Sequence, residues 1–294
     1  MRHAVEAPGY ARFSPQWIVA VLAGWLVTTV VCFALVVYAL GPMLQAGDQR
    51  AALDGVRADI DKALGQTQSL LGAAPPSRPA EFGSPVAVLE VPRLDLRQVV
   101  LEGVLPGQTA AGPGHVPGTS GIGQPGNAAL AGRNSGYGGP FGRLGELRPG
   151  DEIVVATTQG RSAYRVTETV RRALDETADY GKTANDRLTM VTSASWWPLA
   201  SSQATVVTAE LVGKPFRPTP QNGRAEAQDG RSGDTGAWAS LLLSLGGFVA
   251  AAAGATYLYR RWRPVSTYVI TAPALLTLAA LAATSLWHLL PAWS

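Results

Sequence analysis

Three long uncharged apolar stretches constrain this chain more than any other feature. Between Phe13 and Gln45 no residue is charged, and Trp17–Leu40 supplies 24 mostly apolar residues, more than the roughly 20 that carry a helix across a bilayer core. A second uncharged stretch runs from Thr235 to Tyr259, and a third from Pro264 onward, where only His288 can carry charge. Each is long enough to span a membrane. A cleavable secretory signal is the competing reading of the first stretch, with Ala39 and Gly41 as its small-residue pair. Its apolar region would then run only about 7 to 15 residues.

Basic residues beside spans stay preferentially in the cytoplasm. Arg2 and Arg12 precede the first span, and Arg260, Arg261 and Arg263 fill the turn between the second and third. Both clusters are therefore expected inside, which sends the long middle segment outside. The net charge of +3 and the pI near 9.2 then cease to suggest a nucleic-acid partner. Five arginines against Glu6 lie on the cytoplasmic side, while the remaining 19 Lys and Arg face 20 Asp and Glu. The basic balance is a topology signal, and the outer segment is near neutral. Tyr257, Tyr259, Trp262, Trp287 and Trp293 lie near the span ends, where interfacial aromatics are expected. Gly246, Gly247 and Gly254 with the run Ala250–Ala253 give the second span a small-residue face, suited to close helix packing or simply part of an alanine-rich span.

The outer segment divides by composition. Asp48–Leu71 places Leu53, Val56, Ile60 and Leu64 at near-helical spacing and predicts a stalk helix. Ala73–Pro85 is Pro-rich, and Lys214–Gly236 is rich in Gly, Pro, Asp, Gln and Ser; both read as linkers. Between them, short β-branched runs bounded by glycine and proline predict strands at Val86–Val91, Gln98–Gly103, Asn127–Ala131, Asp151–Thr157, Ser162–Ala173, Arg187–Thr192 and Ala204–Val212. With a glycine-rich connection over Leu105–Gly126, they imply a small all-β barrel. The expected plan is a cytoplasmic N-terminus (1–16), a span (17–40), stalk and linker (41–85), barrel (86–213), flexible linker (214–235), a span (236–259), a cytoplasmic turn (260–264), a span (265–290) and an extracytoplasmic end (291–294).

One cysteine, Cys32, excludes an intrachain disulfide and any cysteine-based zinc site. No phosphate-binding glycine loop and no paired metal-ligand motif is present, so neither cofactor nor metal is expected.

The strings GPGHVPGT (Gly112–Thr119), PGNAALAGRNSGYGGPFGRL (Pro125–Leu144), GDEIVV (Gly150–Val155), LTMVTS (Leu188–Ser193) and SSQATVV (Ser201–Val207) resemble, in order and spacing, the sortase domain. The resemblance is closest to class E sortases of Gram-positive actinobacteria and covers about residues 86–213. It implies a membrane-anchored β-barrel transpeptidase that cuts a C-terminal sorting signal and joins the protein to the cell envelope. The family's catalytic histidine, nucleophilic cysteine and arginine fall, by motif position, on Arg133, Ser193 and Ala204. All three are replaced. A serine hydroxyl needs a base within hydrogen-bond reach, an arginine stays protonated near neutral pH and shuttles no proton, and alanine donates nothing to an oxyanion. The expectation is a pseudo-sortase without catalytic residues, acting as an extracytoplasmic binding or scaffold subunit in envelope assembly.

Two alternatives stay open. Ser193 can be the nucleophile of a transpeptidase or peptidase, with His115 as base and Arg133 in place of the lost arginine. Or the membrane helices carry the function within a larger complex. If the groove persists, the resemblance places His115, Arg133, Tyr137, Thr192, Ser193, Ser195, Trp196 and Trp197 on loops that can line it. The adjacent indoles are either binding anchors or packing against core and groove mouth. Besides the bilayer, the expected partner is an envelope protein or peptide, or a glycan, and no nucleic acid.

Overall fold

A computed structural model describes Ala23, Gly24, Val27 and residues 30–67, 78–173, 180–195, 197, 203–223, 230–259 and 264–293. Eight strands close into one barrel: β1 (Pro85–Val91), β2 (Leu96–Glu102), β3 (Gly114–His115), β4 (Asn127–Ala131), β5 (Glu152–Thr157), β6 (Gly160–Arg172), β7 (Arg187–Ser193) and β8 (Ala204–Val212). Around the barrel their order is β1-β2-β3-β4-β7-β8-β6-β5. Pairing is antiparallel except between β2 and β3 and between β4 and β7. Seven strands lie where β-branched runs between turn residues predict them. The eighth, β3, lies inside the stretch read as an unbroken connection, which also holds the short helix α2 (Pro106–Ala111). Two residues of strand carry no periodicity to detect, yet β3 is what joins β2 to β4 and closes the sheet.

Alternation along the strands builds the core. In β6, Ser162, Tyr164 and Val166 are buried while Arg161, Arg165 and Thr167 are not, the period of two that puts one face inward. Leu89, Val100, Leu130, Phe141, Ile153, Val155, Leu188, Met190 and Val207 meet in the interior. The residues after β8 stay on the barrel. Phe216 N–H donates to the Gly123 carbonyl at 2.7 Å, and Asn222 Nδ2 donates to the Ala80 carbonyl at 2.6 Å. The described part of the expected flexible linker, 214–223, is thus bonded to the domain.

Among the described residues, three helices are long and apolar enough to cross a membrane, with stretches Val30–Gly55, Ala237–Leu258 and Val269–Leu289. The first includes a π-helical turn over Leu35–Leu40 and runs on unbroken as α1 (Gly41–Thr67). The stalk is therefore a continuation of the span rather than a separate element. The other two are α3 (Ala237–Tyr259) and α4 (Pro264–Leu289), packed on each other. Of the small residues on α3, Gly247 is the one pressed by its neighbour: a Cβ there would lie 3.1 Å from Leu278 Cδ2, whereas Gly246 and Gly254 face open space.

Candidate functional site

Strand register brings the three replaced positions together. Ala131 of β4 lies beside Val191 of β7, so Arg133, two residues on, falls beside Ser193, and Ser193 pairs with Ala204 of β8. All three are fully buried. They sit where β4 and β7 end and β8 begins, at one end of the barrel.

Ser193 is bonded to its own turn. Its Oγ donates to the Ser195 carbonyl at 3.0 Å and accepts from the Ser195 N–H at 3.2 Å. Among the described residues no imidazole, amine or carboxylate bonds to it. Ser195 also accepts at Oγ from the Trp197 N–H at 3.1 Å, so these residues form a local turn. Trp197 itself is 51% exposed, while Trp196 lies outside the described residues.

Arg133 is packed among aromatics. Its guanidinium carbon lies 5.4 Å from the Tyr137 ring centre and 5.3 Å from that of Trp287, within cation–π range. Its Nη2 donates to the Pro106 carbonyl at 2.8 Å. Burial pulls its pKa down to about 9, opposed by attraction to the Tyr137 oxygen, so the group is charged at neutral pH. The same burial pushes the Tyr137 hydroxyl upward, with Arg133 acting in the opposite direction. Charged near neutral pH and clamped between two aromatic rings, the guanidinium has the character of an anchor.

His115 belongs elsewhere. In register it lies beside Leu130 and, beyond that, Met190, which puts it two strands across and three residues along from Ser193. Both ring nitrogens are engaged: Nδ1 with Glu102 Oε2 at 2.9 Å, Nε2 with the Ser120 carbonyl at 2.9 Å and Thr119 Oγ1 at 3.1 Å. A carbonyl only accepts, so Nε2 carries a proton and His115 offers Ser193 no base. This pair lines a cavity of about 250 Å³ with Arg78, Gln124, Thr157, Gln159 and Gln221, at the barrel end opposite Arg133 and Ser193. Among the described residues no group of three His, Cys, Asp or Glu gathers to hold a metal.

The space above Ser193 is filled by the segment that follows α4. The Trp293 carbonyl accepts from the Asn134 N–H at 3.0 Å, from the Ser193 N–H at 3.4 Å and from Thr192 Oγ1 at 3.4 Å. Its indole is buried with Val104, Val116, Ala129, Ala131, Tyr180, Val191, Ala204 and Val206. Asn134 completes the frame, donating from Nδ2 to the Ser193 carbonyl at 2.6 Å. Six residues earlier, inside α4, Trp287 packs with Val37, Phe33, Tyr137 and Ala110. Both indoles, expected at a lipid interface, are thus interior to the protein. Sequence reasoning missed Asn134, Trp287 and Trp293 as site residues, because only folding returns the third apolar helix to the barrel.

A family model of the sortase domain matches residues 89–212. No match is found among curated proteins. Among solved structures, a mutant of sortase E from Streptomyces avermitilis is 30% identical over 47% of this chain and 93% of its own, with a TM-score of 0.40. A sortase D5 transpeptidase from Clostridium perfringens is 18% identical over 57% of this chain and 99% of its own, with a TM-score of 0.47. The SrtF sortase from Corynebacterium diphtheriae is 23% identical over 50% and 95%, with a TM-score of 0.44.

Proposed function

The chain belongs to the sortase family, and from that premise we propose that it is a catalytically silent member, a membrane-held barrel that binds a peptide segment of an envelope partner without cutting it. One observation carries the reading: Ser193 Oγ spends both its donor and its acceptor capacity on the main chain of Ser195, at the position where the family keeps its nucleophile. The neighbouring positions support it. Arg133 is charged and cannot exchange a proton near neutral pH, and acid–base help is worth about 10² to 10⁴ in rate. Ala204 supplies no donor to an oxyanion, a loss of about 10² to 10³. His115, the alternative base, is committed to Glu102, Thr119 and Ser120. Arg2 and Arg12 before the first span and Arg260, Arg261 and Arg263 in the α3–α4 turn argue for an extracytoplasmic barrel, which is where such a partner would be met.

Full-length protein in lipid nanodiscs, incubated with a sorting-signal peptide and an amine acceptor, should yield neither cleaved peptide nor transfer product by mass spectrometry, and a fluorophosphonate should leave Ser193 unlabelled. Turnover that disappears in Ser193→Ala would overturn the proposal and establish a serine transpeptidase.

A further inference from the structure

Four groups converge on one residue of the segment after α4. Its carbonyl takes hydrogen bonds from the Asn134 and Ser193 N–H groups and from Thr192 Oγ1, and its own N–H donates to the Gly230 carbonyl at 2.9 Å. On the outer side Arg231 stands over the indole, 5.7 Å from its centre. The residue is Trp293, 2% exposed. Main chain bonded at both N–H and carbonyl, with the side chain in an apolar pocket, divides recognition in two: hydrogen bonds give affinity and the pocket gives specificity.

We propose that the pocket formed by Val104, Val116, Ala131, Val191, Ala204 and Val206 is a recognition site for an aromatic residue of a peptide segment, and that Pro291–Trp293, which ends in a turn, is its intramolecular ligand. This rests on the reading of the barrel as a silent peptide binder and adds to it the chemistry of the peptide and the means by which access is controlled. Replacement of the family's arginine by alanine at position 204 gives the pocket part of its apolar wall, so loss of catalysis and acquisition of an aromatic site share one substitution. The resident ligand is not ideally satisfied. The indole Nε1 is buried and, among the described residues, has no hydrogen-bond partner, a state that opposes occupancy. The pocket therefore selects aromatic shape rather than the indole N–H, and a partner peptide bearing Trp or Phe competes with the tethered segment.

The test uses full-length protein in nanodiscs and a fluorescein-labelled peptide of sequence His-Leu-Leu-Pro-Ala-Trp-Ser, corresponding to residues 288–294, followed by fluorescence anisotropy. Wild type should take up little peptide because the site is filled, and Trp293→Phe should remain closed. Trp293→Ala should bind the peptide, and the same peptide with alanine for tryptophan should bind about 30-fold more weakly, the equivalent of a ~2 kcal/mol buried aromatic anchor. Arg231→Ala, which loosens the resident segment without emptying the pocket, should admit the peptide partially and decides the matter if Trp293→Ala does not fold. Failure of the folded variants to bind, or binding indifferent to the tryptophan, overturns the inference. Peptide turnover would instead overturn the silent-sortase reading while leaving the aromatic pocket standing.

Discussion

Charge and hydrogen-bond capacity decide what the individual residues can do. Arg133, Ser193 and Ala204 are singled out by motif position, and the strand register brings them to one end of the barrel. Their surroundings were not legible in the sequence: the Ser195 main chain that engages Ser193 lies on a turn, and of the two rings that hold Arg133, Tyr137 lies four residues on while Trp287 comes from the third apolar helix. Tyr164 shows how burial turns a residue into a pH-dependent contribution. Its oxygen accepts from the Gly123 N–H at 2.6 Å, and burial, with a smaller push from Asp186, raises its pKa to about 12 despite that bond. An unfolded tyrosine loses its proton near pH 10. Between about pH 10 and 12 the folded state therefore holds a proton that the unfolded state has lost, and stability falls as pH rises. Tyr164→Phe should remove that component of the alkaline decline, at a cost of about 1 kcal/mol at neutral pH for the lost hydrogen bond. Chemical denaturation of both proteins in detergent, at pH 8 and at pH 11, measures it.

At the level of elements, the first helix is long and apolar enough to cross a membrane and also packs on the barrel. Val37, Gly41, Gln45 and Gln49 are buried at every fourth position, the spacing that lines one helix face. Gly41 passes against Tyr137, where a Cβ would come within 3.3 Å of its main chain. The loop that meets this face has Gly136, Tyr137, Gly138 and Gly139 all at positive φ, a conformation that costs a non-glycine residue about 1–2 kcal/mol. Glycine is required at 136 and 138 for a second reason, since a Cβ would strike the Trp287 ring and the Gln45 side chain. Tyr137 bears the strain and gains contacts with Val37, Trp287 and Arg133. Gln49 completes β2 where β3 is too short to reach: its Oε1 accepts from the Val99 N–H at 2.6 Å, and its Nε2 donates to the Val99 and Ala111 carbonyls at 3.1 and 2.7 Å. Gln49→Leu should leave buried strand groups without partners and destabilise by about 1–3 kcal/mol for each, read as a lowered melting temperature of the nanodisc-held protein. Gln49→Glu keeps the acceptor for the Val99 N–H but turns a buried carboxylate oxygen toward the Val99 and Ala111 carbonyls, so it should destabilise at least as much at neutral pH. The glutamines were visible as polar breaks in an apolar run, but nothing in the run says which strand they serve.

Across the whole molecule, anchor and barrel pack as one structure. Phe33 and Val37 of the first helix, Ala110 of α2, Tyr137 of the barrel loop, and Trp287 and Leu290 at the end of the third apolar helix share one cluster. The barrel end that holds Arg133 and Ser193 is thereby closed by elements from both ends of the chain. The arginine distribution predicts which side this body occupies. In a Cys32→Ala background, Trp197→Cys should react with a membrane-impermeant maleimide added to intact cells, whereas Arg2→Cys should react only after permeabilisation; the reverse pattern would invert the topology. Apolar length, β-branched periodicity and motif order determined by themselves that this chain would build a sortase-like barrel with three apolar helices, because these properties are local and linear. Only the tertiary structure decided that the segment after the last helix returns to the barrel and buries Trp293 over Ser193. That contact joins residues about 100 positions apart in sequence, and burial of an indole depends on a pocket that no single segment contains.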